Sequence, residues 1–457
     1  MMNPWLGLAL SLGALLGLIR ALHVYRARSE HHELTRKLIH IGVGLITLSF
    51  PWLFDAVWPV IVWSAVVVSF LIGLRFVPRL KDHYGGVVDS VARQSLGEIY
   101  FPLSVAILFV LSGRDPLLYC VPIVILALAD TAAALVGSQY GHWRYTTVEG
   151  SRKSAEGSVA FFTVAFFSVH VPLLLSGQAG RAETLLIGVI LGLMVTLFEA
   201  IAWRGLDNLF IPLGGFVLLK DLLGMSVPDL ALHLGILAVV ALIASVRRPQ
   251  TTLDDSALLS AVLGGYVIWV LGGWQWIVIP LILFLRGRPL PPVGEGGAQH
   301  FHHVSAVLSV AGPGLAWLFL AKTLQRADLF YPFALTFAVH LAAFEIARLK
   351  HPLTQPAALV GVLCGVTSWL MLFIPFLLIE AFSGPLSAAW ERVFAALPLV
   401  IVASVVVVLA SVGFLLTQPR VDELPNDAPR WIRQAAWSAL GSVVGLVPLF
   451  LSQSMLT

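Results

Sequence analysis

The stretch PLLYCVPIVILALADTAAALVG, residues 116–137, carries a single charged residue, Asp130, in a run that is otherwise uncharged and largely apolar. A helix of this length can cross the roughly 30 Å hydrocarbon core of a bilayer. A carboxylate inside such a segment is costly and is by default a candidate functional residue. The stretch therefore predicts a membrane helix that carries chemistry.

The rest of the chain repeats this apolar pattern. Of its 457 residues, 58% are hydrophobic and only 12% are charged, and the mean hydropathy of +0.90 lies outside the range of soluble domains. None of the apolar runs alternates as barrel strands do. We expect an all-α polytopic integral membrane protein with about 14–16 transmembrane helices in two halves. The predicted spans are 4–19, 38–54, 56–74, 99–112, 116–137, 158–176, 182–203, 208–222, 228–246, 256–271, 273–285, 303–321, 328–347, 356–380, 394–416 and 435–452.

The basic residues indicate how these spans are oriented. If the N-terminus lies outside, all but six of the 28 lysines and arginines fall in cytoplasmic loops, as the positive-inside rule requires. We therefore expect the N-terminus outside and the polar motifs of the first half at the cytoplasmic face. The first apolar run lacks a basic leader and a cleavage site, so we expect a retained helix in a prokaryotic plasma membrane. The six exceptions are Arg114, Arg181, Lys220, Lys322, Arg326 and Arg392.

A polar stretch near the middle of the chain suggests two domains. SVRRPQTTLDDSA, residues 245–257, contains a proline and separates two long sets of apolar runs. We expect a first membrane domain over residues 1–250, which holds the polar motifs, and a second over residues 251–457.

The helix that carries Asp130 has a stripe of small residues. Asp130, Ala133, Gly137 and Gly141 share one helix face, which lets another backbone or a phosphate approach closely. In the alternative interpretation these small residues serve helix packing, and Asp130 pairs with a buried lysine or arginine.

A polar loop follows this helix. Arg152, Lys153, Ser154 and Gly157 precede a helix that we expect to begin near Ser158, and cations beside a helix N-terminus suit an anion. The loop is not a Walker A motif, because an arginine stands where that motif needs a glycine before the lysine. A basic cytoplasmic loop without a ligand is the alternative.

Further carboxylates lie near the ends of later spans. Glu199 closes one span, and Asp207 with Asn208 follows at the next turn. Asp130 and Asp207 together could hold Mg²⁺, which takes one or two carboxylates plus phosphate oxygens. The Asp207–Asn208 pair could equally form a turn and a helix cap.

Two earlier segments complete the set of candidates. ELTRKLIHIGVG, residues 33–44, contains Arg36, Lys37 and His40, which could bind the ligand or anchor the helix at the membrane surface. Glu98 begins another span and could be a reactive carboxylate or a partner of the helix dipole.

The order of these motifs resembles that of a known family. RK-x-x-H at 36–40, GE-x-x-FP at 97–102, AD-T-x-A-x-x-x-G-x-x-x-G at 129–141, K-S-x-E-G-S at 153–158 and DN-x-x-IP at 207–212 are similar to the CTP-dependent polyprenol kinases. That family includes dolichol kinase, phytol kinase and CTP-dependent diacylglycerol kinase, and is distantly related to phosphatidate cytidylyltransferase. The resemblance covers about half of the chain.

The resemblance implies a kinase that transfers the γ-phosphate of CTP to a lipid alcohol such as phytol, geranylgeraniol or a polyprenol. It implies Mg²⁺ on Asp130 and Asp207, charge neutralisation by Lys153 and Arg152, and Glu156 or Glu98 as the base. A lipid nucleotidyl transferase and a transporter are the alternatives, and a homodimer is left open. Nucleic-acid binding has no support in the sequence. The further residues that the resemblance assigns to the nucleotide site are Thr131, Gly137, Gly141, Ser154, Gly157, Asn208, Arg36, Lys37 and His40.

The second half resembles phytyl-phosphate kinases faintly. In FAVHLAAFEIARL, residues 337–349, His340 stands where that family has an aspartate and Ala347 where it has a glycine, while Glu345 is retained. We expect a degenerate unit with a structural or substrate-gating role.

Overall fold

A computed structural model gives the architecture of the chain. It describes residues 3–26, 32–76, 96–146, 152–202, 205–251, 253–286, 302–347, 356–417 and 428–447. The chain divides into two compact units, residues 1–235 and 236–457. This division falls inside a helix that ends at Arg247, just before the polar stretch that suggested a boundary near residue 250. The assignment of a kinase domain to residues 1–250 stays a prediction.

The first unit consists of helices and one small hairpin within the described residues. The helices are α1 (Pro4–Arg26), α2 (His32–Leu48), α3 (Phe50–Leu53), α4 (Trp58–Phe76), α5 (Gly97–Leu111), α6 (Pro116–Val124), α7 (Asp130–Tyr140), α8 (Ala155–Ser176), α9 (Arg181–Ile201), α10 (Asp207–Leu222) and α11 (Val227–Arg247), the last of which continues into the second unit.

The described part of the second unit is helical. It contains α12 (Asp255–Gly272), α13 (Trp274–Arg286), α14 (Val304–Leu324), α15 (Phe330–Ala347), α16 (Ala357–Phe382), α17 (Ala389–Thr417) and α18 (Ala428–Val444), with 3₁₀ turns at Arg248–Gln250, Ala327–Leu329 and Leu386–Ala388.

The all-α polytopic membrane fold is confirmed. Within the described ranges, ten helical segments are long and apolar enough to cross a membrane, and four shorter helices are also apolar. Each predicted span coincides with a helix. The runs at 256–271 and 273–285 are separate helices, because Gly273 adopts a positive φ of 78° that ends α12. The shorter apolar helices are Lys37–Leu53, Trp58–Leu74, Gly97–Leu111 and Trp274–Arg286.

The helix that begins at Pro116 changes its winding before Asp130. Asp115 caps α6 by accepting hydrogen bonds from the backbone N–H groups of Leu117 and Leu118. Residues Ile125–Ala129 then form a π-helical segment, and α7 begins at Asp130. π segments are rare and are frequent at functional sites. The sequence analysis predicted one uninterrupted helix here.

The polar loop after α7 is partly a β-hairpin. Strand β1 (Arg144–Thr146) pairs antiparallel with β2 (Arg152–Ser154), and Tyr145 lies opposite Lys153. The next helix begins at Ala155, three residues before the predicted start at Ser158. The earlier start follows from the Ser154 side chain, which caps α8 by accepting a hydrogen bond from the N–H of Gly157.

The core of the second unit surrounds α15. All of its residues from Phe330 to Ala343 are buried. Its aromatic side chains pack against rings of the neighbouring helices, including Trp276 of α13 and Phe376 of α16. A helix that is apolar all round and enclosed on every side is expected at the centre of a bundle.

Candidate functional site

The first ion pair of the site joins α2 to α7. The Lys37 Nζ lies 2.6 Å from the Asp130 Oδ2 and 3.3 Å from the Asp130 carbonyl oxygen. Lys37 is buried, and the Asp130 side chain is 19% exposed. The alternative in which Asp130 pairs with a buried lysine is therefore part of the structure. The pair holds the carboxylate in place while leaving it partly accessible.

The π-helical segment brings α2 and α7 together. The His40 Nε2 lies 3.1 Å from the Leu126 carbonyl oxygen and 3.7 Å from the Asp130 Oδ2. Close approach is possible because Gly44 of α2 packs against Ala127, whose Cβ lies 2.6 Å from the position that a Cβ on Gly44 would take. Lys37, His40 and Asp130 thus share one location, as the sequence analysis predicted.

A second ion pair joins β2 to α9. The Lys153 Nζ lies 2.6 Å from the Glu199 Oε1 and also donates to the Glu199 carbonyl oxygen. Glu199 is buried. Burial of the Lys153 ammonium acts to lower its pKa, but the charges of Glu199 and Asp207 outweigh that effect and raise the pKa. Lys153 is therefore a fixed, protonated cation.

Asp207 lies within electrostatic range of both ion pairs. It begins α10, and its Oδ1 accepts a hydrogen bond of 3.1 Å from the N–H of Asn208. Its charge acts on Lys153 and Glu199, and Glu199 is also influenced by Asp130. Three carboxylates and two ammonium groups from five separate segments therefore form one polar cluster, which we call the lysine–carboxylate cluster: Lys37, Asp130, Lys153, Glu199 and Asp207.

The chemistry of the cluster fits Mg²⁺ delivered with a phosphate ligand. Among the described residues, no three side chains of His, Cys, Asp or Glu are grouped so as to hold a metal ion by themselves. Mg²⁺ commonly binds through only one or two carboxylates and completes its shell with water and phosphate oxygens. Asp130 and Asp207 supply the hard oxygen ligands for that arrangement, so the magnesium prediction stays open.

The small-residue stripe of α7 packs against α8. A Cβ added to Gly137 would lie 3.0 Å from the Ser154 Oγ, and one added to Gly157 would lie 2.9 Å from the Ala133 carbonyl oxygen. A Cβ at Gly141 would approach Ser154 to 2.8 Å. These glycines serve backbone contact, one of the two uses that the sequence left open. Their assignment to the nucleotide stays a prediction.

The two candidate bases differ in their surroundings. The Glu156 Oε1 accepts hydrogen bonds of 3.0 and 3.1 Å from the N–H groups of His142 and Trp143, so this carboxylate fixes the turn after α7. Glu98 is exposed in the first turn of α5. Phe101, one turn further on, packs its ring 5.6 Å from that of His40. Residues three apart lie on one helix face, so Glu98 is on the side of α5 that meets α2.

The remaining predicted residues have mixed placements. Thr131 is buried and donates to the Ala127 carbonyl oxygen, so its hydroxyl is used inside its own helix. The Ser154 hydroxyl caps α8. Arg152 is exposed on β2. Arg36 belongs to α2, but its side chain lies outside the described residues.

The pairing of Lys153 with Glu199 is the main feature that the sequence analysis missed. Glu199 was recognised as a carboxylate near a span end, by the same signal that identified Asp130. Its partner lies 46 residues away on a different element, and no local spacing connects the two.

Comparison with known proteins supports a membrane lipid kinase. Over 184 residues, which are 40% of this chain and 76% of the relative, the chain is 30% identical to a phytol kinase from Synechocystis sp.. Over 154 residues, 31% of this chain and 50% of the relative, it is 29% identical to the CTP-dependent diacylglycerol kinase 1 of Saccharomyces cerevisiae. No family model matches the chain. No solved structure matches it either.

Proposed function

This chain belongs to the CTP-dependent lipid kinase family that includes phytol kinase, and from that premise we propose that it transfers the γ-phosphate of CTP to the hydroxyl of an isoprenoid or other lipid alcohol. We place this reaction at the cytoplasmic face, where nucleotides are available. The distribution of lysines and arginines supports that orientation.

The observation that carries the proposal is the lysine–carboxylate cluster. Two lysines are each held 2.6 Å from a carboxylate, and Asp207 stands within electrostatic range of the second pair. Phosphoryl transfer needs little covalent chemistry from a protein, because positioning and neutralisation of charge account for most of the catalysis. A cluster of fixed cations and metal-binding oxygens is suited to that task.

Asp130 and Asp207 would hold Mg²⁺ in this proposal. The ion would supply neutralisation of charge on the β- and γ-phosphate oxygens. Three carboxylates against two ammonium groups make the cluster favourable for a divalent cation.

The cationic side chains would bind the triphosphate. Lys153 remains protonated because Glu199 and Asp207 raise its pKa, so it can stabilise the negative charge that develops on the transferred group. Lys37 fixes Asp130, and the exposed Arg152 lies next to Lys153 on β2. In the reaction the lipid hydroxyl oxygen forms a bond to the γ-phosphorus, the bond from that phosphorus to the β-phosphate oxygen breaks, and CDP leaves.

We propose that Glu98 accepts the proton of the lipid hydroxyl. Glu156 is held by two backbone N–H groups and is better suited to fixing the turn. Glu98 is exposed and lies on the face of α5 that packs on His40. A lipid alcohol can reach this face directly from the bilayer.

The experiment uses purified full-length protein, CTP labelled in the γ-phosphate, and a panel of phytol, geranylgeraniol, a long polyprenol and diacylglycerol. We expect label in a lipid product. Asp130→Asn and Lys153→Ala should each lower the rate about a hundredfold, because loss of one such electrostatic contact costs on the order of 3 kcal/mol.

Matched controls are available on α10. Asp221→Asn and Lys220→Ala change exposed side chains at the end of the helix opposite Asp207 and should leave the rate unchanged. Label released as pyrophosphate would contradict the kinase reaction and indicate nucleotidyl transfer. Equal rates with ATP and CTP would contradict the choice of nucleotide.

A further inference from the structure

A stripe of polar residues lies inside the second unit. Gln434, Ser438 and Ser442 follow one another at four-residue spacing on α18, and all three are completely buried. Residues spaced by four lie on one face of a helix. Hydrogen bonds from this stripe show that it faces α15 and α14, in the apolar core of the unit.

Two of the three levels of this stripe have complete hydrogen bonds. The Ser438 hydroxyl donates to the Thr336 carbonyl oxygen at 3.0 Å. The Ser442 hydroxyl donates to the Ala439 carbonyl oxygen and accepts from the Trp317 Nε1 at 2.9 Å. These two levels are explained as helix–helix contacts.

The third level is incomplete. The Gln434 Nε2 lies 3.3 Å from the His340 Nδ1, and both residues are completely buried. Among the residues that the structure describes, neither the His340 Nε2 nor the Gln434 Oε1 has a hydrogen-bond partner. Buried polar groups are nearly always paired, so an adjacent pair with an open position on each side chain requires an explanation.

The open positions define the chemistry of a ligand. If the Gln434 amide donates to His340, the imidazole Nε2–H is a free donor and the Gln434 Oε1 is a free acceptor. If the amide is turned over and accepts from His340, the Nε2 is the free acceptor and the amide NH₂ is the free donor. Either way the pair offers one donor and one acceptor.

A hydroxyl matches this pair, because one oxygen both accepts and donates a hydrogen bond. A carboxylate or phosphate offers only acceptors, and an ammonium group offers only donors. The rest of the ligand must be apolar, because the surrounding core consists of residues such as Phe333, Phe337 and Leu341.

We propose that His340 and Gln434 form a site in the second unit that binds the hydroxyl of a lipid alcohol. The choice of a lipid alcohol rather than a water molecule rests on the proposed function. The site would hold the alcohol within the protein but away from the lysine–carboxylate cluster, since both of its residues belong to residues 236–457.

The test uses a photoreactive geranylgeraniol that carries a diazirine near its hydroxyl, added to the full-length protein in lipid nanodiscs. After irradiation, mass spectrometry locates the label. We expect label on peptides of α15 and α18, and we expect unlabelled geranylgeraniol to compete for it. The O-methyl ether of the same chain lacks the donor and should compete about tenfold less well, because it leaves a buried acceptor unpaired.

Protein variants supply the second arm. His340→Leu and Gln434→Met should abolish the labelling of α15 and α18, whereas Ser438→Ala, which changes a level with complete hydrogen bonds, should retain it. If the ether and the alcohol compete equally, or if the double variant is labelled like the parent, the proposal is overturned and the pair binds water or nothing. The ligand comparison needs no variant, so it decides the question even if the variants fold poorly.

Failure of this proposal can be distinguished from failure of the kinase assignment. Asp130→Asn should lose phosphorylation of the lipid and keep the label on α15 and α18. Phosphorylation without this labelling would overturn the second-unit site alone. Labelling without phosphorylation by the parent protein would overturn the kinase proposal and leave the site in place.

Discussion

Replacement of Glu199 by Gln tests the electrostatic basis of the site directly. The change keeps the size of the side chain and an acceptor oxygen, but removes the negative charge that lies 2.6 Å from the Lys153 Nζ. The side chains of Glu199 and Lys153 are 10% and 25% exposed, so water screens the pair only partly. Hydrogen bonds to charged groups contribute about 1.5–3 kcal/mol, and we take about 2 kcal/mol for this change.

We expect Glu199→Gln to lower kcat/KM for CTP roughly thirtyfold, since each 1.36 kcal/mol corresponds to a factor of ten. The pH dependence should change as well. In the parent protein the carboxylates raise the pKa of Lys153, so its deprotonation should limit the rate only above the ordinary lysine value of about 10.4. Without Glu199 the effect of burial gains weight, and the alkaline limb of the pH–rate profile should move to lower pH.

The assay measures initial rates of lipid phosphorylation over a range of CTP concentrations and pH values. Glu183→Gln, in the first turn of the same helix, is the matched control and should behave like the parent. A merely structural role for Glu199 would lower the amount of folded enzyme without moving the alkaline limb. An unchanged kcat/KM together with an unchanged alkaline limb would refute the reasoning.

Three further predictions concern the same unit. Gly157→Ala should destabilise the protein by about 1–3 kcal/mol, seen as a lower thermal midpoint, because the new Cβ would lie 2.9 Å from the Ala133 carbonyl oxygen; an unchanged midpoint would contradict the packing role. Glu98→Gln should lower kcat about a hundredfold or more at unchanged stability, whereas Glu156→Gln should mainly lower the thermal midpoint, and the reverse pattern would reassign the base. Removal of divalent cations with a chelator should abolish phosphorylation and added Mg²⁺ should restore it; activity that survives chelation would exclude the metal.

The helices of this chain could be predicted from sequence because lipid permits few alternatives. Backbone polar groups in a bilayer must be paired internally, so an apolar run of sufficient length becomes a helix. The chemically distinctive residues were also accessible, since a charge such as Asp130 in an apolar run is conspicuous. Gly273, by contrast, ends a helix through its own backbone conformation, which the apolar pattern did not reveal.

Partner choice in the site could not be predicted, because it depends on how distant segments pack. Lys37 was expected near the nucleotide, and the structure gives it Asp130 as a direct partner across 93 residues of sequence. The hairpin was missed for a related reason. Its strands have three residues each, too few for a periodic pattern, and their pairing is what places Lys153 beside Glu199.

The π-helical segment Ile125–Ala129 has a consequence for how this site could have arisen or could be lost. Successive residues of an α-helix are rotated by about 100°, and a π turn accommodates one residue more than an α turn. Deleting a single residue from this segment would restore regular winding and swing Asp130 away from Lys37, while leaving the hydrophobicity of the span nearly unchanged. The aim of the carboxylate thus depends on a one-residue insertion, so a gap of one in this place would separate proteins that keep the membrane architecture from those that keep the chemistry.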